Sequence, residues 1–271
     1  MPQIQVIRPT NIIIDIYGTI TSVKFVDELK EYAAKNIEKY LKDEWNDRKL
    51  VRLLDKLQTE ATTLKNKEGM PPILDYKVKE SDPTATQKSI ENHISWRVKT
   101  HQESEYTLFL FNGIWEAGYK SGKLKSHVFD DVPKALNEWR MNQYIKIYTL
   151  STGKRLGQHI FMKHTVHGDL AKLIANYFDC STFGKEDRRS YLNIANAIRE
   201  RPEKMLFLTD NAKEAMAAAE EKFKAILVVR EGNDPLTDED KKKFPVVMSL
   251  EEIKFIDPPT NEDSQKVNSK K

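Results

Sequence analysis

The sequence holds one cysteine in 271 residues, Cys180. That excludes an internal disulfide and fits a reducing compartment. It has no excess of either charge, since 44 basic residues face 41 acidic ones for a formal net charge of +3. Nucleic acid is therefore not expected as a partner, although a local pocket for one phosphate would not show in such a total. No apolar run approaches the roughly 20 residues of a membrane span, so no membrane partner is expected. Met1-Pro2-Gln3-Ile4-Gln5 lacks a basic stretch followed by an apolar one, and a signal peptide is not expected either. The expectation is a soluble intracellular protein, cytoplasmic with the nucleus as a second compartment. The length suits one large domain, or a core with a smaller domain inserted.

What is present starts with Asn11-Ile12-Ile13-Ile14-Asp15-Ile16-Tyr17-Gly18-Thr19. A short β-branched run reads as a buried strand, and this one stops at a carboxylate. Gly18-Thr19 then allows a tight turn and offers a hydroxyl. No second strand is legible before Val128. Instead Phe25, Val26, Leu29, Tyr32, Ala33, Ile37, Tyr40 and Leu41 recur at helical spacing, and Val51, Leu53, Leu54 and Leu57 continue in a second helix. Lys65 to Thr86, with Gly69, Pro71, Pro72 and Pro83, reads as loop. Helical periodicity returns from Ile90 to Tyr119.

Beyond Val128 strands and helices alternate. Val132–Trp139 reads as a helix and Tyr144–Leu150 as a strand ending at Ser151-Thr152-Gly153-Lys154. Helices follow over Leu156–Phe161 and Asp169–Tyr177, then a short strand at Phe178-Asp179-Cys180 leading to Lys185. Ser190–Ile198 is helical, Met205–Thr209 a strand ending at Asp210, Asn211–Lys222 helical, and Ala225–Val229 a strand. Such alternation implies an α/β fold, a Rossmann-like parallel sheet with helices on both faces. The first strand belongs to that sheet, so the helical stretch is an insertion.

Asp15, Ser151 or Thr152, and Asp210 each close a strand, so they converge on the carboxyl-end crevice where open α/β sheets bind ligands. Lys185 follows a fourth strand and reaches the same place. Two carboxylates, a hydroxyl and an ammonium suit phosphoryl transfer through an aspartyl-phosphate. One carboxylate attacks phosphorus and both hold a magnesium ion, while the hydroxyl and lysine bind phosphoryl oxygens. Glu214, one turn into the helix after Asp210, is placed to orient a metal-bound water. Taken singly, Asp15 is a turn residue, Lys185 a solvated lysine, and Ser151 and Thr152 a helix cap. Their combination is what points to chemistry.

Asp-x-x-Gly-Thr, a hydroxyl-bearing strand end, a lysine and an acidic strand end resemble the four motifs of the haloacid-dehalogenase-like phosphatases. The closer resemblance is to acireductone synthase, the enolase-phosphatase of methionine salvage. It runs through Asp15–Thr21, Gly113–Tyr119, Val128–Pro133, Ile147-Tyr148, Gly168-Asp169-Leu170, Phe178-Asp179, Lys185 with Ser190-Tyr191, and Leu206–Asp210. It ends near Arg230-x-Gly232-Asn233 and Leu236-Thr237-Asp238.

The resemblance implies an enzyme that converts 2,3-diketo-5-methylthiopentyl-1-phosphate to 1,2-dihydroxy-3-keto-5-methylthiopentene, with one Mg2+ and as a monomer. Asp15 matches the nucleophile and metal ligand, Asp210 a metal ligand, Lys185 the phosphate-binding lysine, and Ser151-Thr152 the pair that contacts substrate. Residues 1–21 and 128–258 correspond to the catalytic core and 22–127 to a helical cap that closes over it. By composition, residues 259–271 are expected to be a disordered tail.

The sequence departs from that pattern in two places. The strand-end motif before Lys154 is longer, which leaves open whether Ser151 or Thr152 faces phosphate. At Tyr17 the family carries a glutamate that gives a proton to the leaving oxygen and later takes one from water. The metal uses this residue's backbone carbonyl, which Tyr17 retains. A phenol with a reference pKa of about 10 donates a proton at neutral pH but is almost never ionised to accept one. An impaired or inactive relative acting as a binding or regulatory protein is therefore the alternative reading, with Asp187 or Glu214 as groups able to compensate. A related phosphatase with another small substrate is a third. His159, His164 and His167 are not spaced as one zinc face, Cys180 reads as a small core residue, Lys241-Lys242-Lys243 as solvated, and Trp96 and Trp115 as packing.

Overall fold

A run of isoleucines buries both of its faces when it forms a central strand of a parallel sheet. The computed structural model describes residues 3–64, 69–75 and 82–258. It opens with β1 (Ile4–Ile7) and β2 (Asn11–Asp15), and Ile12, Ile13 and Ile14 of β2 are at most 1% exposed. The chain divides into two units, residues up to Phe25 with those from Lys125 on, and Val26–Leu124.

The second unit is helical: α1 (Phe25–Glu44), α2 (Arg48–Thr63), α3 (Pro83–Lys99) and α4 (Glu105–Lys120). Ala33, Ile37, Leu41, Leu54, Leu57, Ile90, Ile94, Phe111 and Ile114 make its core. Asp47, Asp82 and Ser104 cap α2, α3 and α4. Trp115 donates its indole N–H to the carbonyl of Leu29 at 2.7 Å. A buried ion pair lies beside this core. Arg97 sits 2.8 Å from Glu60 and donates Nε to His93, whose other ring nitrogen is 2.7 Å from the Pro71 carbonyl.

The first unit continues with α5 (Asp131–Asn137), β3 (Lys146–Ser151), α6 (Arg155–Lys163), β4 (Ile174–Asp179), α7 (Arg188–Ile198), β5 (Met205–Thr209) and α8 (Ala212–Glu220). It ends with β6 (Lys224–Val228), α9 (Asp238–Lys243), β7 (Val246–Val247) and β8 (Ile253–Ile256). The main sheet is parallel in the order β4-β3-β2-β5-β6-β7, and β1 pairs in parallel with β8. Successive side chains alternate across a strand. Ile13, Leu150 and Phe207 meet Tyr191 and Ile194 of α7 and Ala217 and Ala218 of α8 on one face. On the other, Thr149 donates its hydroxyl to Gln158 of α6 at 2.6 Å. The α/β expectation is met.

Several elements differ from the sequence reading. Ile4–Ile7 is a strand, alternately half-buried and exposed, whose partner lies near the far end of the described chain. The helix expected over Asp169–Tyr177 is a 3₁₀ turn at Ala171–Leu173 followed by β4. Leu170, Leu173, Ile174 and Tyr177 have helical spacing, but pairing with β3 overrides it. Pro83, read as loop, is the first residue of α3, where a missing N–H costs nothing. Ile90–Tyr119 is two helices, broken between Thr100 and Ser104. The domain boundaries read at 21/22 and 127/128 compare with divisions after Phe25 and after Leu124. The tail expected to be disordered, 259–271, lies outside the described residues. Among the described residues no helix is long and apolar enough to cross a membrane.

Candidate active site

Sheet register decides which strand ends meet. Asp15 pairs with Leu150 of β3, and Ile14 with Leu208 of β5. Asp15, Ser151 and Asp210 therefore finish along one edge, and strand order reverses about β2, at the switch point where such sheets hold ligands.

Asp15 is 2% exposed. Its Oδ1 accepts the Ile16 N–H at 2.8 Å and lies 2.9 Å from Lys185 Nζ, which leaves Oδ2 to react. Lys185 Nζ also stands 2.8 Å from Glu214 Oε1, and Glu214 Oε2 accepts the Thr209 hydroxyl at 2.7 Å. Burial pushes the Asp15 carboxyl up to about 7 against the pull of Lys185, and Glu214 and Asp210 add to the rise. Burial disfavours the Lys185 ammonium, but Asp15 and Glu214 outweigh that and raise it.

The loop carrying Lys185 is tied from α7. Tyr191 donates its hydroxyl to the Lys185 carbonyl at 2.7 Å, with its ring edge-on to Phe207 and Phe223. Ser190 donates to the carbonyls of Phe183 and Gly184. Ser190-Tyr191 thus acts through backbone placement.

Gly18 holds the turn after β2 at φ +82, and a Cβ there would collide with the Asp210 carboxylate. Gly18→Ala is expected to cost about 1–3 kcal/mol through backbone strain and to displace Asp210. A melting curve checks this, and an unchanged melting temperature would show that the turn stores no such strain.

Residues 10–221 match the family model described as haloacid dehalogenase-like hydrolase. Enolase-phosphatase E1 of Anopheles gambiae is 34% identical over 98% of this chain and 89% of its own. The chain belongs to the enolase-phosphatase E1 family. The Xenopus tropicalis enolase-phosphatase E1 is also 34% identical, over 91% of this chain and 95% of its own. The crystal structure of the UTR4 protein of Saccharomyces cerevisiae has the same fold, with a TM-score of 0.69 at 22% identity, over 89% of this chain and 98% of that one.

In this enolase-phosphatase E1 family member the other sequence candidates fall as follows. Ser151 is 1% exposed and its hydroxyl accepts the Gly153 N–H at 3.2 Å, whereas Thr152 is exposed. Tyr17 is partly buried, with its ring edge-on to Phe161 at 6.2 Å. Burial, then the Asp15 charge, pushes its phenol up to about 12. Asp187 is not a spare base. It caps α7, and its hydrogen bonds with Arg189 hold it down at about 2. Burial lifts the Cys180 thiol to about 11, which keeps it protonated.

Among the described residues no three His, Cys, Asp or Glu side chains form a metal-holding group, so His159, His164 and His167 are not gathered. The oxygen set of Asp15, Asp210 and the Tyr17 carbonyl suits magnesium, which keeps several waters and needs few protein ligands. Burial also pushes Asp210 up to about 6, the penalty that a divalent cation removes. Sequence reasoning gave no role to Arg230 and Asn233, which bond the carbonyls of Thr19 and Gly18.

Proposed function

We propose that the chain is a magnesium-dependent, monomeric cytoplasmic enolase-phosphatase of methionine salvage. Its substrate is 2,3-diketo-5-methylthiopentyl-1-phosphate and its product 1,2-dihydroxy-3-keto-5-methylthiopentene. The helical insertion is assigned the part of the cap. The observation that carries the reading is the buried Asp15–Lys185–Glu214 bridge at the switch point of the sheet.

Asp15 Oδ2 attacks phosphorus, and the bond from phosphorus to the substrate oxygen breaks. Lys185, held by Glu214, neutralises charge on the phosphoryl oxygens, and Ser151 is the hydroxyl placed to bind them. The leaving oxygen takes a proton, which the Tyr17 phenol is able to donate. The resulting 1-hydroxy-2,3-diketone becomes the named product when one C1 proton is lost and the C2 oxygen gains one. Water then attacks the aspartyl-phosphate, releasing phosphate and restoring the carboxylate. Asp15, Asp210 and the Tyr17 carbonyl are the groups that would hold magnesium, which would supply charge neutralisation at phosphorus when bound.

The second step lacks a base. The Tyr17 phenol is too weak an acid to ionise, and both oxygens of Glu214 are engaged. Incubated with the diketo phosphate and magnesium, the protein should give a burst of dephosphorylated product equal to the enzyme present. Slow phosphate release and an acyl-phosphate on Asp15 should accompany it. Tyr17 also favours a second reading, a binding or regulatory protein, and neither burst nor turnover would decide for it.

Magnesium is expected to raise the melting temperature by several degrees, since a hundredfold excess over Kd is worth about 2.7 kcal/mol. Asp210→Asn should remove that shift. A variant that keeps the full shift would exclude Asp210 from the site.

A further inference from the structure

The turn after Asp15 closes on its own backbone, with the Gly18 N–H on the Thr21 carbonyl at 2.8 Å and the Ile20 N–H on the Ile16 carbonyl at 3.0 Å, and the Thr21 hydroxyl lies 3.0 Å from His127 Nδ1. Thr19 is fully buried, and its hydroxyl has no hydrogen-bond partner. Its backbone is held from the region after β6. Arg230 donates Nε to the Thr19 carbonyl at 3.0 Å, Nη1 to the Met248 carbonyl at 3.1 Å and Nη2 to Asp131 Oδ2 at 2.9 Å. Its guanidinium lies 4.4 Å over the Phe129 ring. Asn233 donates Nδ2 to the Gly18 carbonyl at 2.9 Å and to the Val228 carbonyl at 3.3 Å. Asp131 is fixed in turn, since Oδ2 accepts the Ser249 hydroxyl at 3.0 Å and the Leu250 N–H at 2.6 Å.

We propose that Arg230 and Asn233 are positioning residues for phosphoryl transfer, a clamp that sets Asp15 against Asp210 by holding the two carbonyls between them. Two consecutive carbonyls, three and four residues after Asp15, are each met by a half-buried side-chain donor. Gly18, the first, is the residue against which the Asp210 carboxylate lies. Glycine leaves this turn many conformations, and reacting groups displaced by about 1 Å cost on the order of 10²-fold in rate. A planar guanidinium that reaches three acceptors narrows the choice where an ammonium could not.

The proposal rests on Asp15 as the nucleophile, so its test carries Asp15→Asn alongside. Arg230→Lys keeps a charge for Asp131 but loses the fork. Asn233→Asp keeps the shape but removes the donor. Each is assayed with the diketo phosphate and saturating magnesium, with burst amplitude counting competent sites and melting temperature read in parallel. The expected result is a burst rate constant lower by about 10-fold or more in both, with KM and melting temperature little changed. A burst rate per competent site equal to wild type in either variant overturns the clamp, whatever its melting temperature, and leaves only structural fastening. Activity surviving in Asp15→Asn, or neither burst nor turnover from the wild type, overturns the nucleophile reading and the clamp with it.

Discussion

Asp15→Asn is expected to abolish the burst of product while leaving the melting temperature unchanged or higher. An amide cannot form the acyl-phosphate, and loss of a nucleophile that acts with its partners as a unit costs on the order of 10⁴–10⁶-fold in rate. The stability side is less obvious, because removing one member of a buried ion pair ordinarily destabilises by about 3–5 kcal/mol. Here Lys185 keeps a second carboxylate, Glu214, at 2.8 Å. What disappears is an anion that burial, Glu214 and Asp210 all disfavour. The balance therefore tilts toward relief, as at sites where reactivity is held at the expense of stability. Mass spectrometry for the acyl-phosphate and a melting curve without magnesium read the two halves separately. A large fall in melting temperature would mean that Lys185 depends on Asp15 for its compensation.

Tyr17→Glu is expected to raise steady-state phosphate release by about 10²–10⁴-fold, the usual worth of a positioned acid–base group. The environment that lifts the phenol to about 12 acts on a carboxyl in the same direction, through burial and then the Asp15 charge. A glutamate there would be held nearer neutrality, where it both gives and takes a proton. It would also give up the edge-on contact with Phe161, so a modest stability loss should accompany the gain. Comparing burst amplitude with the later linear rate distinguishes the steps, since only the linear phase should quicken. Equal linear rates in the two proteins would show that hydrolysis does not wait on this position.

The buried strands were legible because their surroundings leave no other arrangement for them. Ile12–Ile14 and Leu206–Leu208 are apolar runs closed by acids, and both are central strands. Edge strands gave weaker signals. β4 exposes Ala175 and Asn176, so its residues mimic a helix, and β1 has no sequence neighbour to pair with. In the site, Asp15 and Lys185 come together at the strand ends, whereas Glu214, read as orienting a metal-bound water, is bonded to Lys185 and Thr209. The longer motif at Ser151-Thr152 left two hydroxyls in play, and burial separates them. Arg230 and Asn233 were illegible because they bond carbonyls, and every residue has a carbonyl. Gly18 was legible as a turn, but its contact with Asp210 needed the register of three strands.

The pairing of β2 with β3 across the whole helical insertion sets a timetable for synthesis. At roughly 5–20 residues per second, Asp15 leaves the ribosome on the order of ten seconds before Leu150, its neighbour across the sheet. Lys185 and Asp210 follow later still. A nascent chain thus carries an unpaired isoleucine strand through about half of its translation, while the local helices of the insertion have time to form. Ile4–Ile7 waits longest, for Ile253–Ile256. A chain that stops before those residues leaves β1 without its partner, which makes truncation a route to aggregation as well as to lost activity.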